Sequence, residues 1–183
     1  MASSVSMLKK SDMINIVEDE KFVQIFTSDE NTVKLSADKR SVENIYMGKP
    51  AGALGVHSYS SGIHRIRTRI NKSLPFLGIR SKNIPPEPRL YSAGSYIHSD
   101  ATYGWVNYFR YHNGLHSTTP WDCRFNRVGH IWTITLNCDE HRLHLLDETT
   151  NEEDDIVVDV DKAPFPWCLF VGLHRATAGI LLI

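Results

Sequence analysis

Nine histidines and three cysteines are the side chains of this 183-residue chain with the most capacity to hold a metal or carry a nucleophilic reaction. The closest histidine pair, His141 and His144 in HRLH, falls in a stretch that reads as a β-hairpin. Three residues apart on an extended strand, two side chains point to opposite faces, so the pair makes a poor metal site. The helical zinc pattern H-E-x-x-H needs a spacing and a helix that the sequence does not offer. A thiol nucleophile needs a base or a positive surrounding that ionises it. Cys168, inside WCLFVGL, reads as small core filler, and Cys138 sits in a turn beside Asp139. Cys123, between Asp122 and Arg124, has the most reactive setting of the three. No G-x-S-x-G, P-loop or G-x-G-x-x-G pattern accompanies it. The expectation is a chain without catalytic residues, metal or cofactor, with a thiol-dependent hydrolase acting through Cys123 as a competing reading.

Two charged stretches could also do chemistry. DETTNEEDD, residues 147–155, is acidic but lacks the turn-making glycine of a calcium loop, and reads as a solvated hairpin tip. SSGIHRIRTRINK, residues 60–72, alternates with period two. As a strand it puts His64, Ile66, Thr68 and Ile70 on one face and Arg65, Arg67 and Arg69 on the other, with neighbouring arginines about 7 Å apart. A formal net charge of -1 argues against the broad cationic field of a nucleic-acid binder. Pairing of the arginines with acids across the sheet is therefore expected over phosphate binding. Whether the strip forms a second contact surface stays open at this level.

The elements that must position these residues are short. FVQIFT, TVKLS, VENIYMG, ALGVHSY, PFLGIRS, YGWVNYF, HIWTITLNC, RLHLLD, DIVVDV, WCLFVGL and GILLI are rich in β-branched and aromatic residues and are separated by turn formers. No window carries an apolar stripe of helical period. The pattern predicts an all-β chain, an antiparallel two-sheet β-sandwich over residues 21–183, after a polar tail or linker at 1–20. Apolar content of 42% and charged content of 22% fit one globular domain. The three cysteines, odd in number and without CxxC spacing, fit a reducing compartment, and no segment nears roughly 18 consecutive apolar residues. A cytoplasmic protein, expected as a monomer, with no membrane and no nucleic-acid partner, is the reading. Two long connections, 83–102 and 110–129, carry prolines, tyrosines, Trp121 and several histidines, and loops of that length are often functional.

Several of these stretches match, in chain order, a set of known family motifs. Ser61-Gly62 and His64 match the strand written SG-x-H-Y-W-E-V, with Arg65 and Ile66 replacing its aromatics. Phe76-Leu77-Gly78-Ile79-Arg80-Ser81 resembles F-I-G-V-A-S, and Tyr103-Gly104-Trp105 resembles Y-G-W. Gly129 to Leu136, turning through Asn137 to Glu140 into Arg142 to Leu146, resembles the G-D-V-I-G-V-x-L-D hairpin, with His130 in place of its Asp. Ala163 to Val171 resembles the closing L-Y-P-A-V-S strand. Thr32 to Ser36 and Asp38 to Val42 are similar to the extension that precedes SPRY in tripartite-motif and SOCS-box relatives.

In these motifs the chain resembles the SPRY family, and the resemblance implies a bent, concanavalin-like antiparallel sandwich that recognises a protein or short peptide through loops at one end. By its pattern Tyr91, Gly94 and Ser95 belong to that site; by position alone so do Arg40 and Leu173-His174-Arg175. Interface hot spots favour Tyr, Trp and Arg, which adds Arg89 and Tyr96 beside Tyr103, Trp105, Tyr108, Tyr111 and Trp121, with Trp105 expected in the core. Tyr91 would supply apolar contact and a hydroxyl, Gly94 close backbone approach, and Arg40 or Arg175 a fork for a carboxylate. A glycan-binding, lectin-like sandwich is the alternative. Tyr91→Ala is expected to weaken partner binding without unfolding the domain.

Overall fold

The computed structural model describes residues 13–46, 49–73, 75–86, 96–121, 127–173 and 177–183. Among them the strands are β1 Ile14–Ile16, β2 Phe22–Thr27, β3 Val33–Leu35, β4 Ser41–Asn44, β5 Ala51–Gly55, β6 Ile63–Lys72, β7 Phe76–Ser81 and β8 Thr102–Val106. They continue with β9 Phe109–His112, β10 Leu115–Thr118, β11 Ile131–Asn137, β12 Arg142–Asp147, β13 Glu152–Val157, β14 Trp167–Leu173 and β15 Gly179–Leu182. One sheet has the order β13-β12-β11-β6-β15-β4-β3, the other β10-β9-β8-β7-β14-β5-β2. Every pairing is antiparallel except that of β1, which joins β6 in parallel, Ile16 beside Arg65.

The period-two alternation of β6 places Ile66, Thr68 and Ile70 in the core and leaves Arg67 and Arg69 outside, while His64 is only half-buried. β14 obeys the same geometry but is buried on both sides. Trp167, Leu169, Val171 and Leu173 enter the core between the sheets, whereas Cys168 and Phe170 join a second apolar cluster on the outer face. That outer cluster contains Tyr96 and Ile97, so the end of the connection after β7 folds back over the sheet. The approach is close: a Cβ on Gly172 would lie 2.5 Å from Ile97 Cγ2. Where β7 pairs β8, a Cβ on Gly78 would lie 2.0 Å from the Tyr103 carbonyl oxygen, so that position admits no side chain.

Three segments differ from the sequence reading. Residues 14–20, read as part of a polar lead-in, supply β1 and the buried Val17 and Glu20. The connection 110–129 is shorter than its composition implies, because β9 and β10 form a hairpin within it. The acidic run 147–155 is not simply a solvated tip. Asp147 ends β12 and Asp154 lies on β13, and alternation turns both inward. Arg127 Nη1 pairs Asp147 at 2.7 Å and Glu152 at 2.8 Å, while Arg110 Nη2 and Trp105 Nε1 each reach Asp154 at 2.8 Å.

Glu20 anchors the lead-in to the sandwich. Its carboxylate accepts from the backbone N–H of Val56 at 2.8 Å and from the hydroxyl of buried Tyr59, whose pKa burial pushes upward, with the negative Glu20 adding to the effect. Tyr59→Phe keeps the ring but leaves a buried carboxylate oxygen without its donor. The expected cost is about 2 kcal/mol, the scale of a hydrogen bond to a charged group. Thermal unfolding would show it as a drop of roughly 4–8 °C for a domain of this size.

Candidate functional site

One end of the sandwich gathers the β2–β3 connection, Asn44 to Tyr46 after β4, Lys49 before β5, Tyr96, and Leu173 and Thr177 at the facing ends of β14 and β15. The strand registers bring them together: Thr27 and Leu173 both pair Ala51, and Phe26 and Gly172 both pair Gly52. Tyr96 packs against Phe26 with ring centroids 6.4 Å apart.

Asn44, fully buried at the end of β4, ties these loops to one another. Its Nδ2 donates to the carbonyl oxygens of Lys49 at 2.7 Å and Leu173 at 3.0 Å, and its Oδ1 accepts from the Tyr46 N–H at 2.9 Å. Its backbone N–H donates to Ala178, and its carbonyl accepts from Thr177. A side-chain amide suits this place because it offers two donors and an acceptor with no charge to desolvate.

On that frame Ile45 is 48% and Tyr46 52% exposed. Lys49 Nζ lies 5.7 Å from the Tyr46 ring centroid and forms an ion pair with Asp29, whose carboxyl it holds below the usual range, helped by the Asn31 N–H. The result is an exposed aromatic and an exposed aliphatic side chain flanked by opposite charges.

Of the residues assigned to partner binding from sequence, Arg89, Tyr91, Gly94, Ser95, His174 and Arg175 lie outside the described residues. So does Cys123. Tyr96 stands at this end but is only 6% exposed, its hydroxyl pKa raised by burial, and Leu173 is wholly buried. Both side chains support the site from beneath. Arg40 is elsewhere. Its carbonyl accepts from Leu182 N–H and its Nε donates to the Leu182 carbonyl at 3.2 Å, at the end of β15 opposite the one that leaves β14. There it adjoins Ile16, Val17 and Arg67 on the outer face of the other sheet.

Sequence reasoning missed Asn44, Ile45 and Tyr46, taking VENIYMG as a continuous strand. The usable signal was the Gly48-Lys49-Pro50 stretch, which requires a turn soon after Asn44. The thiols of Cys138 and Cys168 are both pushed up to about 12 by burial, which makes them unreactive near neutral pH. Among the described residues no three His, Cys, Asp or Glu side chains gather to hold a metal, and no helix is long and apolar enough to cross a membrane.

No protein-family model matches the sequence, and no curated protein matches it significantly. Solved structures do match. The TRIM65 PSpry domain superposes with a TM-score of 0.72 at 13% identity, covering 92% of this chain and 91% of that one. The SPRY domain of human HERC1 gives 0.62 at 13% identity over 84% of this chain and 95% of its own. Stonustoxin gives 0.62 at 12% identity, with 92% of this chain lying on 27% of the toxin chain. Two sheets in this order, the outer cluster over β14 and agreement across nearly the whole chain establish that this protein has the SPRY fold, of the PRY-SPRY type.

Proposed function

We propose that this chain is a noncatalytic module that binds a protein or short peptide through the loops at the Asn44 end of the sandwich. The observation that carries the reading is the exposed Ile45–Tyr46 pair, with the backbone at Tyr46 and at Lys49 tied to the buried Asn44 side chain. Prior fixation matters because a loop that is already ordered loses little entropy when it meets a partner. Tyr46 supplies a large amphipathic contact, Lys49 and Asp29 a charged rim, and Tyr96 a buried support behind Phe26. Tyr91, Gly94 and Ser95, from the SPRY resemblance, His174 and Arg175, by position alone, and Arg89, by hot-spot composition, belong to the binding surface in this proposal.

The test begins with a linear peptide selected from a random display library against the folded chain. Tyr46→Ala is expected to weaken that peptide at least tenfold, the effect of losing an interface anchor, with the thermal midpoint within about 2 °C of the parent. Tyr91→Ala is expected to act in the same direction. Unchanged affinity in both folded variants would place recognition away from this end. A selection that yields no peptide, with calcium-independent glycan binding in its place, would support the lectin-like alternative.

A further inference from the structure

The outer face of the eight-stranded sheet carries charges that its own fold matches only in part, Arg65 facing Glu148 through space without a direct ion pair. One row across the strands runs Ile16, Arg65, Thr135, His144 and Asp155. The next runs Arg67, Thr133, Leu146 and Glu153. Arg67 is satisfied, since its Nε and Nη2 donate to the two carboxylate oxygens of Glu148 at 2.9 and 2.7 Å. Arg65 and Arg69 differ. Among the described residues neither has an ion pair or a side-chain hydrogen bond. Arg65 Nε and Thr135 Oγ1 are both shielded from solvent without a partner. They line a hollow of about 350 Å³ whose apolar walls are Ile16 and Leu146. A second hollow shares Ile16 and Arg67 with it and brings in Arg40. At the far edge of the sheet Glu153 and Asp155 project from β13, with His144 within 3.7 and 3.4 Å of them and Arg142 Nε 3.7 Å from Asp155, so that Glu153 is the less encumbered acid.

A guanidinium at the rim of a hollow wants a carboxylate, and with Nε shielded Arg65 can grip it through its two terminal nitrogens with two parallel hydrogen bonds. Glu148 beside the hollow and the acids of β13 disfavour a doubly charged phosphate, whereas a carboxylate on a short apolar stem suits Ile16 and Leu146. From β6 to β13 is three strand spacings, about 14 Å, which four residues of extended peptide span at about 3.3 Å each. Residues i, i+2 and i+4 of such a peptide share one face.

We propose that this outer face is a second docking surface, independent of the loop end, for an extended segment carrying an acidic residue, an apolar residue two positions on and a basic residue two beyond that. The acid meets Arg65, the apolar side chain rests on Thr133, Thr135 and Leu146, and the base meets Glu153 and Asp155.

The probe is the blocked peptide Ac-Gly-Glu-Gly-Leu-Gly-Lys-Gly-amide, titrated into the full chain to millimolar concentration while backbone and methyl resonances are followed. Shifts are expected at Arg65, Thr133, Thr135 and His144, and they should shrink in about 0.3 M salt, where exposed charges are screened. Arg65→Met is expected to weaken the peptide about fivefold, as is the double variant Glu153→Gln/Asp155→Asn, the scale of a partly exposed charge pair. Tyr46→Ala should leave this binding unchanged, which separates the present proposal from the loop reading. The proposal is overturned if folded Arg65→Met and the acidic double variant both bind as the parent does, if the shifts fall at Asn44–Tyr46 instead, or if no resonance moves. Inorganic phosphate moving the same resonances at lower concentration than the peptide would overturn it in favour of a small-anion site.

Discussion

Replacing Arg127 by methionine is expected to lower the stability of the domain by about 3–5 kcal/mol, the cost of removing one partner from a buried ion pair. Arg127 is fully buried, over the Trp121 ring at 5.1 Å, and bridges Asp147 on β12 to Glu152 on β13. Methionine fills much of the stem's volume, so the loss is mainly the charge. Asp147 keeps its hydrogen bonds from His130 and the Thr149 N–H but loses its formal countercharge. A midpoint drop of about 10 °C should follow, at roughly 2–4 °C per kcal/mol for a domain of this size.

The same substitution changes the response to acid. Burial alone would push the Asp147 carboxyl up, yet hydrogen bonds from His130, Arg127 and the Thr149 N–H hold it below the usual carboxylate range. A depressed folded pKa contributes stability that is complete above the unfolded value of about 3.9 and is lost as pH falls through the folded value. Without Arg127 the carboxylate takes up its proton at higher pH, so the midpoint of acid unfolding should rise. Circular dichroism across pH 2–6 checks this, a window set roughly around the unfolded value. An unmoved acid midpoint together with a near-parent thermal midpoint would remove Arg127 from its role as anchor.

How far the sequence led can be seen at particular residues. Ile66, Thr68 and Ile70 went inward because a ten-residue strand has one solution once its period is two. Trp105 was expected in the core and is wholly buried. Asp147 and Asp154 were misplaced because their partners, Arg127 and Arg110, are distant in sequence and meet them only through the strand order. Local composition sees an acidic run and cannot see the cations that topology supplies. Arg40 was placed by position alone, without a matching motif, and a register pairing Leu181 with Ser41 sends it to the opposite end of β4 from Asn44. Leu173 and Tyr96 looked like surface residues because they flank loops. Period-two reasoning has no means of showing that a connection folds back to cover the outside of a sheet, and the glycines that permit the contact carry no pattern of their own.

Asn44→Ala is expected to cost about 2–3 kcal/mol, since it removes two donors from carbonyls of Lys49 and Leu173 and the acceptor from the Tyr46 N–H at a buried place. Its effect on recognition should exceed that of its stability loss. Ile45, Tyr46 and Lys49 stay in the sequence but lose the clamp that sets their geometry, so a loop-directed peptide should weaken at least tenfold at temperatures where the variant is still fully folded. Asn44→Asp sharpens the test. It preserves shape and the acceptor for Tyr46, yet places a carboxylate against two carbonyl oxygens in a buried site. Burial and the facing carbonyls raise the pKa of such a group. A raised folded value makes the protonated form the compatible one, so the Asp variant should be most stable below about pH 4 and lose stability as pH rises toward its folded pKa. That is the reverse of the trend set by Asp147, and it persists in the difference between variant and parent, where the Asp147 contribution cancels. A pH-independent difference between Asn44→Asp and the parent would mean that the Asn44 amide donors do not hold the two loops together.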